Sequence, residues 1–405
     1  MVPSNWQNKQ LSKLFVFQNG INAQKEQYGK GYKFVNVMDV FKNTILTEPK
    51  IIGRVEVSLD KIEKYKLKYG DVLFNRTSEV PHEIAIASTY LDNKIALFGG
   101  FVIRGRPISN DIAAEYSVFL FQSKNYREQV SKLGQGAVRS NIGQKELGKI
   151  SVLVPPFEEQ KKIAQILSTW DKAITIAEQL LANSQQQKKS LMQQLLTGKK
   201  RLLDENGVRF SEQWNYTEIK ELLRESRITS NNSDPSKRLT VKLNLKGIEI
   251  RKCRGTEAIN STTHFIRKTG QFIYGKQNIH KGALGIIPPE LNGFETSQDL
   301  PTFDFTEKCE SSWFLHFMSQ EHFLSSLESK MSGTGSKRLN PKVLLNIRIL
   351  FPHLKEQQKI AAVLSSADKE ITVLQQKLDM LKQEKKALMQ QLLTGKRRVK
   401  VEEAA

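Results

Sequence analysis

The sequence predicts an α+β protein built as a tandem duplication. Two divergent mixed domains are each followed by a long helix, and the helices pair as an antiparallel coiled coil of pseudo-two-fold symmetry. Three observations predict it: a segment that occurs twice, a 3.5-residue apolar rhythm inside both copies, and short alternating apolar runs with glycine turns ahead of each.

The duplication organises everything else. Leu-Met-Gln-Gln-Leu-Leu-Thr-Gly-Lys stands at Leu191–Lys199 and again at Leu388–Lys396, an offset of 197. Without a gap, 27 of 47 positions agree between residues 155–201 and 352–398, far beyond coincidence between two Gln/Lys-rich helices. Pro155 and Pro156, or Pro352, precede Glu158 and Glu159, or Glu356, which marks helix starts with acidic first turns. Gly198 and Gly395 are the expected positions just past each end.

Within these limits the apolar residues alternate steps of four and three. The first seam is Ile163, Leu167, Trp170, Ile174, Ala177, Leu181, Ser184, Lys188, Leu191 and Leu195. The second is Ile360, Leu364, Ala367, Ile371, Leu374, Leu378, Leu381, Lys385, Leu388 and Leu392. A mean step of 3.5 is the seam of a left-handed helix pair. Lys188 and Lys385 interrupt both seams at the same place, where they either set register or snorkel; snorkelling is the expectation.

Ahead of each helix lies a domain of short runs such as Tyr-Lys-Phe-Val-Asn-Val and Val-Leu-Phe-Asn with glycine-rich turns. The organisation is residues 1–154, helix 155–198, linker 199–213, second domain 214–351, helix 352–395 and a charged tail 396–405. The two domains keep only fragments in common. Trp6, Leu11 and Leu14 share the spacing of Trp214, Ile219 and Leu222. Gly70-Asp71-Val72-Leu73-Phe74 parallels Gly270-Gln271-Phe272-Ile273-Tyr274, and Arg139-Ser140-Asn141 is expected to parallel Arg338-Leu339-Asn340.

The chain of 405 residues carries 62 basic and 42 acidic side chains, a net charge of +20. Such a surplus favours a polyanionic partner, since each neutralised phosphate releases counterions. Cys253 and Cys309 are the only cysteines, so neither a disulfide framework nor a zinc site is expected, and the compartment should be reducing and cytoplasmic. No apolar run suits a membrane span.

An antiparallel pairing would place the domains at opposite ends of a rod roughly 60 Å long at about 1.5 Å per residue. One turn of B-DNA is about 34 Å, so two reading heads could sit over separated sites, and unlike heads would read unlike half-sites.

The twin starts Glu159-Gln160-Lys161-Lys162-Ile163-Ala164 and Glu356-Gln357-Gln358-Lys359-Ile360-Ala361, with the twin Leu-Met-Gln-Gln-Leu-Leu-Thr-Gly-Lys ends, resemble the specificity subunit of type I restriction–modification enzymes. Gly70–Thr77 and the glycine-rich stretch Gly134–Asn141 are similar to that family's target-recognition domains. The resemblance spans nearly the whole chain. It implies two target-recognition domains reading a split, asymmetric sequence in double-stranded DNA. It also implies assembly with two methyltransferase subunits, which use S-adenosylmethionine to methylate adenine N6, and with restriction subunits that use ATP and Mg2+. No cofactor is expected in this chain, and no catalysis.

Candidate DNA contacts follow the strand-like runs. Asn75, Arg76, Thr77 and Ser78 form a compact donor set: Arg can grip guanine or phosphate, Asn can read adenine, and hydroxyls serve either. A solvated loop with one structural Arg is the plain alternative. Lys276, Gln277, Asn278, His280 and Lys281 hold the corresponding place in the second domain. Arg139 and Asn141, then Lys337, Arg338 and Asn340, flank glycine-rich segments before the helices, and could contact phosphate or brace the junction.

Several motifs mislead. Val154-Pro155-Pro156-Phe157 resembles the loop of amino-methyltransferases, but Val154 cannot accept a hydrogen bond from an exocyclic amine. Phe98-Gly99-Gly100-Phe101 is too short for a cofactor loop, and Gly333-Thr334-Gly335-Ser336-Lys337 lacks phosphate-loop spacing. Glu328-Ser329-Lys330 lacks the preceding Asp that a nuclease triplet needs. The histidines form no metal-ligand cluster.

Overall fold

The computed structural model describes residues 3–133, 140–231, 234–253, 262–333 and 336–401. They divide into two units, Met1–Glu178 with Gln376–Ala405, and Gln179–Gln375. Each long helix, Phe157–Leu195 and Leu354–Leu392, gives one part of its length to each unit.

In the first unit, a five-stranded sheet runs in the order Phe15–Asn19, Val102–Pro107, Val72–Asn75, Ala87–Tyr90, Ile45–Leu46. Its first four strands are antiparallel. A smaller sheet holds Arg54–Val55, Tyr28–Val35 and Ala96–Phe98. The ribbon of Gln7–Gln10 with Ser151–Val154 ties the start of the domain to the residues entering the helix. Phe74, Phe121 and Tyr126 stack edge-on in the core, which continues onto Ile163, Leu167 and Leu392 of the long helices.

The second unit repeats this skeleton with little sequence in common. Its four-stranded sheet is Leu223–Ser226, Thr302–Phe305, Phe272–Tyr274, Leu284–Ile286. Asn215–Glu218 pairs with Arg348–Phe351 as the closing ribbon. The core, centred on Trp313 and Phe272, continues onto Ile360, Leu364 and Leu195.

Strand register explains one divergence. Gly105 pairs with Val72 and Phe303 with Phe272, which sets Arg106 beside Asp71 and Asp304 beside Gln271. The Asp71 carboxylate accepts from Arg106 Nε and Nη2 at 2.8 and 2.7 Å. In the second unit Gln271 Nε2 donates to Asp304 at 2.8 Å. The negative partner has moved to the neighbouring strand and the cross-strand bond is kept. Each side chain also accepts the amide of the residue three before it, Lys68 or Lys268.

Within each unit the helix segments run antiparallel. In the first, Asp171 binds Lys385 and Glu178 binds Lys382; in the second, Ser184 binds Glu370 and Lys188 binds Asp368. Every seam position is buried or half-buried. The expectation that Lys188 and Lys385 snorkel is corrected: both ammonium groups meet a carboxylate on the facing helix, so they mark register. The reason is local. Asp171 and Asp368 sit on the facing helix where antiparallel pairing brings them opposite the lysines, and a half-buried ammonium is better satisfied there than bent to water.

The junctions repeat residue for residue. Glu159 accepts from Trp6 Nε1 and Arg398; Glu356 accepts from Trp214 Nε1 at 2.8 Å and from Arg201 at 2.6 and 2.7 Å. Fully buried Gln160 bonds Ala113 N and the Pro155 and Asp111 carbonyls, and Gln357 bonds Glu310 N and the Pro352 and Lys308 carbonyls. Gly198 and Gly395 have φ of 71° and 70° and lie against Trp214 and Trp6. The segments after the helices are likewise one device used twice, Leu202 packing on one core and Val399 on the other. Of residues 199–213, Arg201 and Leu202 pack on the second unit, and most of 203–213 is exposed.

Candidate nucleic-acid interface

Antiparallel order brings the end of Phe15–Asn19, the start of Val102–Pro107 and the end of Val72–Asn75 to one end of the first sheet. Arg76 leaves the sheet there, exposed, with Thr77 half-buried beside it. Arg76 N donates to Phe101 O at 2.9 Å, and Arg76 O accepts from Ile142 N at 3.0 Å. Thr77–Ser78 pairs with Ser140–Asn141, which brings exposed Asn141 alongside.

Asn75 and Ser78 face inward. Asn75 is fully buried in the strand, its Nδ2 donating to Thr77 O at 3.2 Å, and its Oδ1 has no hydrogen-bond partner among the described residues. Ser78 Oγ accepts the Val80 amide at 3.0 Å. Both shape the loop that presents Arg76 and Thr77. Arg139 lies outside the described residues.

The same end of the second sheet presents Lys276 on the same frame. Its N donates to Asp299 O at 3.0 Å and its O accepts from Leu339 N at 2.8 Å. Gln277 and Lys281 are exposed, and Asn278 and His280 are half-buried around the short turn Ile279–Lys281. Lys337 and Arg338 are exposed, and Arg338 Nη1 meets Asp299 Oδ1 at 3.0 Å. Asn340 is a helix cap: its Oδ1 accepts the Lys342 amide at 2.9 Å at the start of Pro341–Leu345.

These bonds correct the expected alignment before the helices. Ile142 and Leu339, both buried, make the equivalent bond, so Asn141 stands where Arg338 stands, and Gly143 where Asn340 does. Matching the arginines by identity displaced the register by two residues. Buried apolar side chains set it.

The surroundings differ between units. Position 267 is a buried Arg whose guanidinium bonds Thr296, Thr302 and the Ser226 and Leu300 carbonyls; burial pushes it down to about 10. The first unit has buried Leu67 there, making the same backbone bond, Leu67 N to Ala96 O against Arg267 N to Phe294 O. Sequence reading also missed Phe101 and Asp299, whose carbonyls anchor the two cations. The Gly-Gly-aromatic turn at 99–101 was the available signal for the first.

The chain thus holds two versions of one α+β head, each with a cation at one sheet end and each seated on paired helix segments. Residues 3–184 and 211–383 match the family model of the type I restriction modification DNA specificity domain. The chain belongs to that family, whose members are the non-catalytic specificity subunits of type I restriction–modification systems. It is 26% identical over 428 aligned residues to a sequence named for the MjaX type I restriction enzyme specificity subunit of Methanocaldococcus jannaschii, covering 98% of this chain and 95% of that one. The MjaVIII specificity subunit of the same organism is 26% identical over 302 residues, 70% of this chain and 71% of the other. Among solved structures, an S subunit from M. genitalium superposes with a TM-score of 0.59 at 13% identity, covering 96% of each chain. The HsdS subunit from Thermoanaerobacter tengcongensis gives 0.52 at 16% identity, covering 98% of each. Among the described residues no helix is long and apolar enough to cross a membrane, and no group of three or more His, Cys, Asp or Glu could hold a metal ion.

Proposed function

We propose that this chain reads a bipartite, asymmetric sequence in double-stranded DNA, one half with the sheet end carrying Arg76, Thr77 and Asn141, the other with that carrying Lys276, Gln277, Lys281, Lys337 and Arg338. The observation that carries the reading is the shared backbone frame around Arg76 and Lys276, set among unlike neighbours. Alike scaffolds with unlike reading edges suit two unlike half-sites. The two long helices, each contributing to both units, set the gap between the halves. On this reading the chain carries no cofactor and works in the cytoplasm. It directs two methyltransferase subunits, which use S-adenosylmethionine, and restriction subunits, which use ATP and Mg2+, to the sequence it has read.

Exchange of residues 1–154 for the matching domain of another family member tests it. Methylation mapping should show one half-site changed and the other, with the gap, retained. Alteration of both halves would defeat the modular reading. Within the native chain, R76A and K276A should each lower specific affinity by about 5–100-fold, and where the cation grips a phosphate its removal should reduce the salt slope by about one.

A further inference from the structure

We propose that Phe101 is a base-stacking wedge, its ring inserting against a base pair beside the position held by Arg76. The proposal rests on the reading that the sheet end carrying Arg76 faces DNA, and it assigns a contact by which the first unit alone recognises its half-site.

Phe101 is 66% exposed, whereas Phe15, Phe34, Phe74, Phe98, Phe119 and Phe121 of the same unit are buried. It is the third residue of the turn Gly99–Val102, closed by Val102 N donating to Gly99 O at 2.9 Å. The turn has no room to fold the ring back. Gly100 N donates to Ile21 O at 2.9 Å, Ile21 N to Phe98 O at 2.9 Å, and Gly99 N to Val35 O at 3.0 Å. A methyl at Gly20 would lie 2.2 Å from Gly99 O, and one at Gly100 would lie 1.9 Å from Asn22 Oδ1. The glycines let the turn pack directly on the Gly20 backbone and the Asn22 side chain.

The same peptide fixes the cation. Phe101 O accepts from Arg76 N at 2.9 Å, so the two residues leave the sheet end from one hydrogen-bonded backbone frame. In the second unit the corresponding carbonyl belongs to Asp299, whose side chain holds Arg338. One head therefore exposes a ring where the other places an ion pair.

A wedge needs a stiff stem, an exposed ring and a cation close enough to hold the backbone while a base step opens. Phe101 meets all three. A protein-docking patch would instead be a contiguous apolar area; the exposed residues flanking those bonded to the turn are the polar Asn19, Asn22, Asn36 and Arg76, with the exposed apolar Val16 and Met38 further along the same segments.

The test uses the full chain assembled with its methyltransferase partners and a duplex carrying the methylation-mapped motif, with 2-aminopurine placed in turn at each position of the first half-site. Apart from the adenine that the methyltransferase flips out for methylation, wild-type binding should raise fluorescence at one further step. F101A should abolish that rise and lower specific affinity about tenfold with an unchanged salt slope, while F101L keeps part of the rise. Thermal unfolding of F101A should superimpose on wild type. If F101A binds and fluoresces like wild type while R76A is weakened, the wedge is wrong and the reading edge stands. If neither variant matters, the reading edge itself is wrong. If F101A instead loses the methyltransferase partners on gel filtration, with unchanged DNA affinity in the complexes that remain, the ring docks protein and the proposal falls.

Discussion

Replacing Asp171 by Lys would put two ammonium groups where the antiparallel seam now holds an ion pair with Lys385. Two unit charges about 4 Å apart interact by about 4 kcal/mol at an effective dielectric constant of about 20. The Asp171 side chain is 46% exposed and that of Lys385 14%, so solvent screening reduces the attraction to about 1–2 kcal/mol. Turning attraction into repulsion should then destabilise the first unit by about 2–3 kcal/mol. The double variant D171K/K385E restores opposite charges across the seam and should recover at least half of that loss. Urea unfolding followed by tryptophan fluorescence, in a double-mutant cycle with K385E alone, isolates the coupling. It should shrink in high salt. Penalties that simply add, with coupling below about 0.3 kcal/mol, would refute an antiparallel register that sets these two residues face to face.

Three further outcomes follow from the packing. R201M leaves the buried Glu356 carboxylate, among the described residues, with Trp214 Nε1 as its remaining side-chain donor, and should cost about 3–5 kcal/mol; adding E356Q should return part of it, and a loss below about 1 kcal/mol in urea titration would contradict the clamp. N340A should lower stability by about 1 kcal/mol through the missing cap and leave DNA affinity unchanged, whereas an affinity loss at constant stability would return Asn340 to the reading edge. Burial, with Lys188 nearby, pushes the His316 imidazole down to about 4 despite Asp368 at 3.8 Å. The unfolded chain takes up that proton near pH 6.5, so the stability His316 contributes is whole above 6.5 and is lost as pH falls toward 4. H316F installs what the first unit has at Phe119, which also lies under a seam lysine, and should flatten the loss between pH 7 and 5 in thermal unfolding; an unchanged slope would exclude His316 as its source.

What the sequence showed and hid follows from the range of the interactions. The helices Phe157–Leu195 and Leu354–Leu392 fall inside the segments 155–198 and 352–395 read from the sequence, because periodicity, proline starts and glycine ends are local signals. The duplication also exposed Trp6 and Trp214 as equivalent, although their partner carboxylates, Glu159 and Glu356, read only as acidic first-turn residues. Strand Val72–Asn75 is buried on both faces, so no alternation announced that Asn75 points inward. The pairing of Asp71 with Arg106 and of Gln271 with Asp304 depends on strand register across more than 30 residues, which local pattern does not carry. Phe98-Gly99-Gly100-Phe101 stood out in the sequence, but its exposed ring did not, because an aromatic after two glycines reads as core until the turn is known.

Single-molecule methylome sequencing of a host with and without this chain tests the two-headed account most directly. The account predicts methylated adenines within one new motif made of two short unlike blocks separated by a fixed run of unread bases. A single continuous motif, or two blocks of the same sequence, would contradict it.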